Sequence, residues 1–366
     1  MNAERLHAVA KAIHQDLKDA QERSLLEQLT SALQNQVNQP QQPNHQQQVS
    51  TVLKSLDVAL EASTSNDFSP VYRQTLEAIG ASELLGRPLL ARIRQVFEKN
   101  QITPSVALDE IKRIRSEVDL LSKAMEQLLD AFVKLGIDSE ELDPGECELG
   151  LLIPRNAVKN KLESFASELT LLNKTFGTFS ELATGSRPGF DIRTISSTDL
   201  TVFLELGPVV CACAAVAIER VVGLYKQLLE IRLLRKQLVE QGVTEKALQG
   251  VDSHANSHMK DGIDKVIADL IEKYAANHDE GRRNELRTEL RHALNRIANR
   301  IDTGYNFEVR VQPIAKSDAK EGVKQEDLAA LAVALQASKG VQFLKSGGTP
   351  ILSLPEPPDP EANTKT

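Results

Sequence analysis

From Ile111 to Leu135 an apolar residue recurs at alternating steps of three and four: Ile111, Ile114, Val118, Leu121, Met125, Leu128, Phe132 and Leu135. A period near 3.5 keeps one narrow seam on the same side of a helix, and little besides helices laid side by side buries such a seam. Thr103 followed by Pro104 opens this helix, and Gly136 closes it. The spacing returns at Val158, Leu162, Phe165, Leu169, Leu172, Phe176, Phe179 and Ala183. It returns again, with one charged intrusion, at Ala214, Ala217, Val221, Leu224, Leu228, Ile231, Arg235 and Leu238. Each 25-residue stretch would be about 38 Å long at 1.5 Å per residue.

Composition fits aliphatic helix packing. Apolar residues make up 41% of 366 residues and aromatics 4%, with no Trp. That apolar share excludes a chain disordered throughout, and 3 cysteines exclude a disulfide scaffold. A formal net charge of -8 excludes a wholly basic nucleic-acid binder, though not a local patch. The first residues lack an apolar leader, so no signal peptide is expected. The nearest approach to a membrane span is Leu200–Ile218. Its uncharged run from Leu206 to Ile218 is 13 residues, where a span needs about 20. It reads as a buried strand, turn and helix. Free thiols and the missing leader point to the cytoplasm.

The expected fold is mainly α: a long-helix, coiled-coil-like bundle with a small antiparallel β-sheet at one end and a small N-terminal helical unit. Residues 1–36 read as an amphipathic helix, broken at most once. Residues 37–48 read as a Gln/Pro-rich linker, because eight glutamines and two prolines crowd Gln34–Gln48. Residues 49–102 form a small helical unit, and 103–344 the long-helix bundle. Residues 345–366, with five prolines and no helical period, read as a disordered, acidic tail. Strands are expected at Glu148–Pro154, Phe190–Ile195, Leu200–Leu206 and Phe307–Gln312, each short and β-rich.

Two charged clusters stand out. Arg282, Arg283, Arg287, Arg291, Arg296 and Arg300 lie on one helical stretch whose apolar face is Leu286, Leu290, Leu294, Ile297 and Ile301. At 100° per residue, Arg287 and Arg291 fall on one flank of that face and Arg296 and Arg300 on the other. A guanidinium fork suits phosphate or carboxylate, so these six form a candidate anion-binding set. The bland reading is a solvated face paired with acids elsewhere in the chain. The counterpart is Asp138–Glu148, with six acids and no base. It lacks the EF-hand alternation and reads as a solvated turn, or as a loop docking on the arginines.

Other chemistry is thin. His254 and His258 would share a helical face with Asp252, Asp261 and Asp264 near, but a metal site needs three or more converging ligands and the stretch is polar and flanked by Gly250 and Gly262, so no metal or cofactor is expected. Cys211 and Cys213 read as small core residues. Phosphate-loop, dinucleotide, zincin and nucleophile-elbow motifs are absent, and Ser317–Lys320 matches S-x-x-K without its companion motifs. Asp302 with Glu308 and Arg310 only faintly resembles a nuclease strand. The expected role is therefore non-catalytic: a scaffold or adaptor acting through self-assembly and protein binding, with homo-oligomers expected and neither membrane nor small-molecule substrate inferred. Its candidate protein-binding residues are Ile111, Ile114, Val118, Leu121, Met125, Leu128 and Phe132. The same seam equally suits an internal bundle. The alternative function is an accessory factor contacting nucleic acid through the helix 282–300.

Overall fold

The computed structural model describes residues 3–100, 103–196, 200–244, 248–275, 278–314, 324–341, 344 and 349–357. The chain is 71% helical, with eleven α-helices and one four-stranded antiparallel sheet among the described residues. It divides into two compact units, Met1–Glu141 and Leu142–Thr366.

Unit 1 is all helix: α1 (Ala3–Asp19), α2 (Glu22–Asn38), α3 (Pro43–Glu61), α4 (Pro70–Ala78), α5 (Gly86–Lys99) and α6 (Pro104–Leu135). The expected break within residues 1–36 falls at Gln21, whose left-handed φ of 51° turns the chain from α1 into α2. The long heptad helix is α6, ended by Gly136 at φ 67°. Ile111, Ile114, Val118, Leu121, Met125 and Phe132 are buried and Leu128 is half-buried. All but Phe132 share a core with Val9, Ile13 and Leu17 of α1 and with Leu26, Leu29 and Leu33 of α2. Phe132 stacks on His7 with ring centroids 4.8 Å apart.

Two expected boundaries are corrected here. The unit boundary lies at Glu141, not at residue 102, so α6 belongs with the N-terminal helices rather than in a bundle spanning 103–344. The reason is that α1 and α2 carry apolar stripes of their own, which supply the surface the α6 seam needs. The Gln-rich stretch 37–48 shrinks to Gln39–Gln42, because α2 continues to Asn38 and Pro43 begins α3 at its first turn. Glutamine is a good helix former, and Val37 and Val49 are drawn onto the core.

Unit 2 opens with β1 (Cys147–Ile153), followed by α7 (Leu162–Thr184), β2 (Ile192–Ser196), β3 (Leu200–Leu206), α8 (Pro208–Glu240), α9 (Gln249–Tyr274), α10 (Glu280–Asp302), β4 (Asn306–Val311) and α11 (Gln325–Gly340). The four strands are the four expected, each within two residues. Their order is β2-β3-β1-β4, with Cys147 opposite Leu206 on one side and Val311 on the other. Every residue of β1 is buried, as a central strand requires. Gly150 is there because a Cβ would meet the Phe203 ring at 2.6 Å.

The connection 136–157 carries the expected strand, β1, into this sheet. Its contiguous run Leu149–Ile153 is covered on both faces. The apolar stretch from Leu200 is strand β3, a turn at Gly207 and the start of α8. Helix α8 is long and apolar enough to cross a membrane by length and composition, and 61% of that window is buried inside the unit. Its first half, Val210–Ala215 with Ala217, Ile218, Val221 and Val222, forms the centre of the core. Helices α7, α9, α10 and α11 all pack against it. Small Ala and Cys side chains make such encirclement feasible. The three cysteines are buried free thiols; burial pushes the Cys213 thiol up, and the neighbouring Cys147 thiol, with burial, pushes Cys211 up.

A third correction concerns the C-terminal stretch. The disordered tail expected over 345–366 is contradicted at Thr349–Glu356, where Ile351 and Leu354 are buried in the unit 2 core. The segment has no helix or strand because side chains of unit 2, rather than its own backbone, satisfy its amides and carbonyls.

One buried carboxyl in unit 1 has a measurable signature. Glu22 is fully buried; burial, with the neighbouring charge of Asp16, raises its pKa to about 8, while the Gly86 backbone amide offsets part of the rise. Between pH 4.5 and 8 the folded chain therefore holds a proton that the unfolded chain has lost. Stability falls as pH rises through this window, by about 1.4 kcal/mol per pH unit from this group. Glu22→Gln should flatten that slope in urea melts between pH 5 and 8, whereas equal slopes in both proteins would refute the assignment.

Candidate functional site around the arginine-rich helix

The arginine cluster is α10, and most of its charges are answered by groups of the same unit. Asp279 caps the helix by accepting a 2.9 Å bond from the Arg282 amide. Arg282 and Arg300 fall on the flank facing α7, where Arg282 bonds Glu181 at 2.6 Å and Arg300 holds Glu168 through two bonds of 2.6 and 3.0 Å. Arg296 lies on the same flank, nearly buried, and reaches Thr175 and Glu356 at 2.8 and 3.1 Å. Arg291, on the opposite flank, pairs with Asp264 of α9 at 2.9 Å. Arg283 donates to the Ala275 carbonyl at 2.9 Å. Arg287 is the exposed member and donates to Asn284. The two flanks foreseen from the helical wheel are thus real, and their partners are chiefly neighbouring helices of the same unit. Ion pairing raises the Arg300 pKa despite burial, so its charge is secure.

The acidic loop does not meet this helix. Its acids are divided between the two units. In unit 1, Glu140 takes a fork of 2.8 and 2.9 Å from Arg5, and Glu141 pairs with Lys11. In unit 2, Glu146 pairs with Arg193 at 2.6 Å and Glu148 with Arg310 at 3.0 Å. The expectation of docking on Arg282–Arg300 within the chain is corrected: bases closer along the fold take the loop first.

At the C-terminal end of α10 lies a buried polar centre; Asp302 stands out in the sequence only through its faint likeness to a nuclease strand, and Tyr225 and Arg232 do not stand out at all. Asp302 is wholly buried, and Oδ1 accepts from the Tyr225 hydroxyl at 2.7 Å and from Arg232 at 2.6 Å. Arg232 also donates to the Asp302 carbonyl at 2.7 Å and to Tyr225. Burial, then the Asp302 charge, pushes the Tyr225 phenol up, so it remains a donor. Oδ2 accepts the amides of Ile351 and Leu352 at 2.6 and 2.7 Å. Beside this centre opens a cavity of about 470 Å³ whose lining includes Asn156, Glu168, Arg232, Arg300, Tyr305 and Pro350.

Three asparagines extend the grip along Thr349–Glu356. Asn256 of α9 donates to the Ile351 carbonyl at 3.1 Å and accepts the Ser353 amide at 2.7 Å. Asn299 likewise brackets Leu354, donating at 3.0 Å and accepting at 3.1 Å. Asn295 donates to the Pro355 carbonyl at 2.9 Å. A sequence signal existed. Asparagine is a poor mid-helix residue, and Asn295, Asn299 and Asp302 recur at steps of four and three on a single face.

The histidines stay apart. His254 is exposed, and His258 bonds Gln227 at 2.9 Å. Among the described residues no group of three His, Cys, Asp or Glu side chains converges. Asp302 and Arg310 serve separate networks, and Ser317–Lys320 lies outside the described residues. Compared with known protein families, curated proteins and solved structures, the chain matches none.

Asp302→Asn keeps the shape of this centre but strips Arg232 of its counter-charge. Losing one partner of a buried ion pair costs roughly 3–5 kcal/mol. Unit 2 should melt earlier, and hydrogen exchange at Ile351 and Leu352 should accelerate. Unchanged melting and exchange would show that the pair is energetically idle.

Proposed function

We propose that this chain is a non-catalytic protein-binding scaffold that self-associates through the final turns of α8. The observation carrying this reading is a patch of large aliphatic side chains left in solvent: Leu233, Leu234, Leu238 and Val239 are 56%, 59%, 37% and 40% exposed. A heptad surface attracts a partner only where it is unfilled. The α6 seam of Ile111, Ile114, Val118, Leu121, Met125, Leu128 and Phe132 is consumed inside unit 1, so it offers nothing without opening that unit. On α8 the intruding Arg235 turns inward to Asp252 at 2.8 Å, which leaves Leu234 and Leu238 on an outward stripe.

The occupant is a second copy. Lys236, exposed and 3.8 Å from Glu240 on its own helix, flanks the patch together with Glu230, so an antiparallel two-fold pairing can set Lys236 of each copy against Glu230 of the other. Nucleic-acid contact through α10 is the weaker reading, because Arg282, Arg291, Arg296 and Arg300 already hold carboxylates. The buried free thiols are in keeping with a reducing, cytoplasmic setting.

Light scattering should give a dimeric mass at tens of micromolar. Leu234→Glu with Leu238→Glu should return a folded monomer whose melting temperature no longer depends on concentration, since neither side chain is buried. A wild-type monomer throughout would overturn the proposal. A low-salt gel shift abolished by Arg287→Glu would favour the nucleic-acid alternative instead.

A further inference from the structure

We propose that the face formed by α9 and α10 is a recognition groove for an extended peptide of another protein, and that Thr349–Glu356 is its tethered, imperfect occupant. The groove reads main chain. Asn256 and Asn299 each bracket a strand-less backbone with one donated and one accepted bond, Asp302 takes two successive amides, and Asn295 takes a carbonyl. Such contacts hold any sequence able to lie extended, which is how peptide-binding domains obtain affinity without fixing every side chain.

Selectivity comes from three positions. Ile351 and Leu354 are buried three residues apart, while Ser353 and Pro355 face solvent. Three residues is the repeat of polyproline II, in keeping with the Leu-Pro-Glu-Pro sequence. Glu356 meets Arg296 at 3.1 Å, Asn299 at 2.8 Å and Arg300 at 3.5 Å. The preferred ligand is therefore aliphatic, any two residues, aliphatic, any one residue, acidic.

Two observations mark the tethered segment as an incomplete ligand. Asn295 is 4% exposed and its Oδ1 has no donor, so one recognition atom of the groove is idle. The 470 Å³ cavity beside Pro350 shares Arg300 and Asp302 with the groove and leaves space next to the segment. A partner peptide that brings a further donor to Asn295, and a polar side chain beside Pro350, uses both. Arg235 of α8 donates to the Thr349 hydroxyl at 2.9 Å, but the groove proposal does not depend on self-association through the exposed α8 leucines.

The test uses the full chain and a fluorescent peptide with the sequence of residues 349–357. The wild type should bind weakly, because its own segment competes. A variant with Leu354→Ala and Glu356→Ala should bind at least tenfold tighter, and adding Asn299→Ala to it should remove binding. A folded variant that ignores the peptide, or binds a scrambled one equally, overturns the proposal. Where that variant fails to fold, exchange in the wild type decides: excess peptide should speed exchange of the Ile351 and Leu354 amides, and no change overturns it. Absence of peptide binding combined with dimers that trade the segment between copies also overturns it, in favour of self-exchange.

Discussion

Unit 2 closes around a single carboxylate. Asp302 has two oxygens and four donors. One oxygen ties α8 to the end of α10 through Arg232 and Tyr225, and the other ties both to the C-terminal segment through two amides. Burying a lone charge costs several kcal/mol, and a single ion pair does not reliably repay that. Here the phenol and two backbone amides share the negative charge, and the Arg232 proton donors reach both the side chain and the carbonyl of the same residue. The arrangement fixes geometry as much as it stabilises. Remove the carboxylate and three elements lose their common anchor.

The same economy governs α10. Six arginines on one helix would repel each other in isolation, yet the acids that answer them come from α7, from α9 and from the C-terminal segment. Pairs such as Arg291–Asp264, about 40% exposed on both sides, contribute little to stability. Arg300–Glu168 is better shielded and forked. The net charge of -8 thus conceals a unit whose conspicuous basic cluster is largely neutralised from within.

What was legible in the sequence follows from range. The helices and strands of both units were readable because period and capping are local: Pro104, Pro208 and Gly136 sit where a helix begins or ends. Partnership was not. The α6 seam is equally suited to α7 or to α1 and α2, and only three-dimensional packing selects the latter. The Gln-rich stretch misled because low complexity looks like a linker even when its residues favour helix. The C-terminal segment misled more deeply. Proline excludes regular hydrogen bonding within the segment, and the asparagines that replace it lie between 55 and 97 residues away in sequence. The candidate site combines both cases, with arginine flanks visible on a helical wheel and backbone partners invisible to it.

The sheet order has a consequence in time. In unit 1 the helices α1 to α6 follow one another within Met1–Glu141, so no contact there spans more than 140 residues. In unit 2 the central strand β1 cannot complete its pairing until β4 arrives, and the Arg310–Glu148 bond joins residues 162 apart. Long loops must close before such contacts return any stabilisation, which slows folding. The two units are thus set to acquire structure at different speeds, the helical unit first. For that interval β1, with apolar residues on both of its faces and an unpaired edge, is the segment most exposed to pairing with the wrong strand.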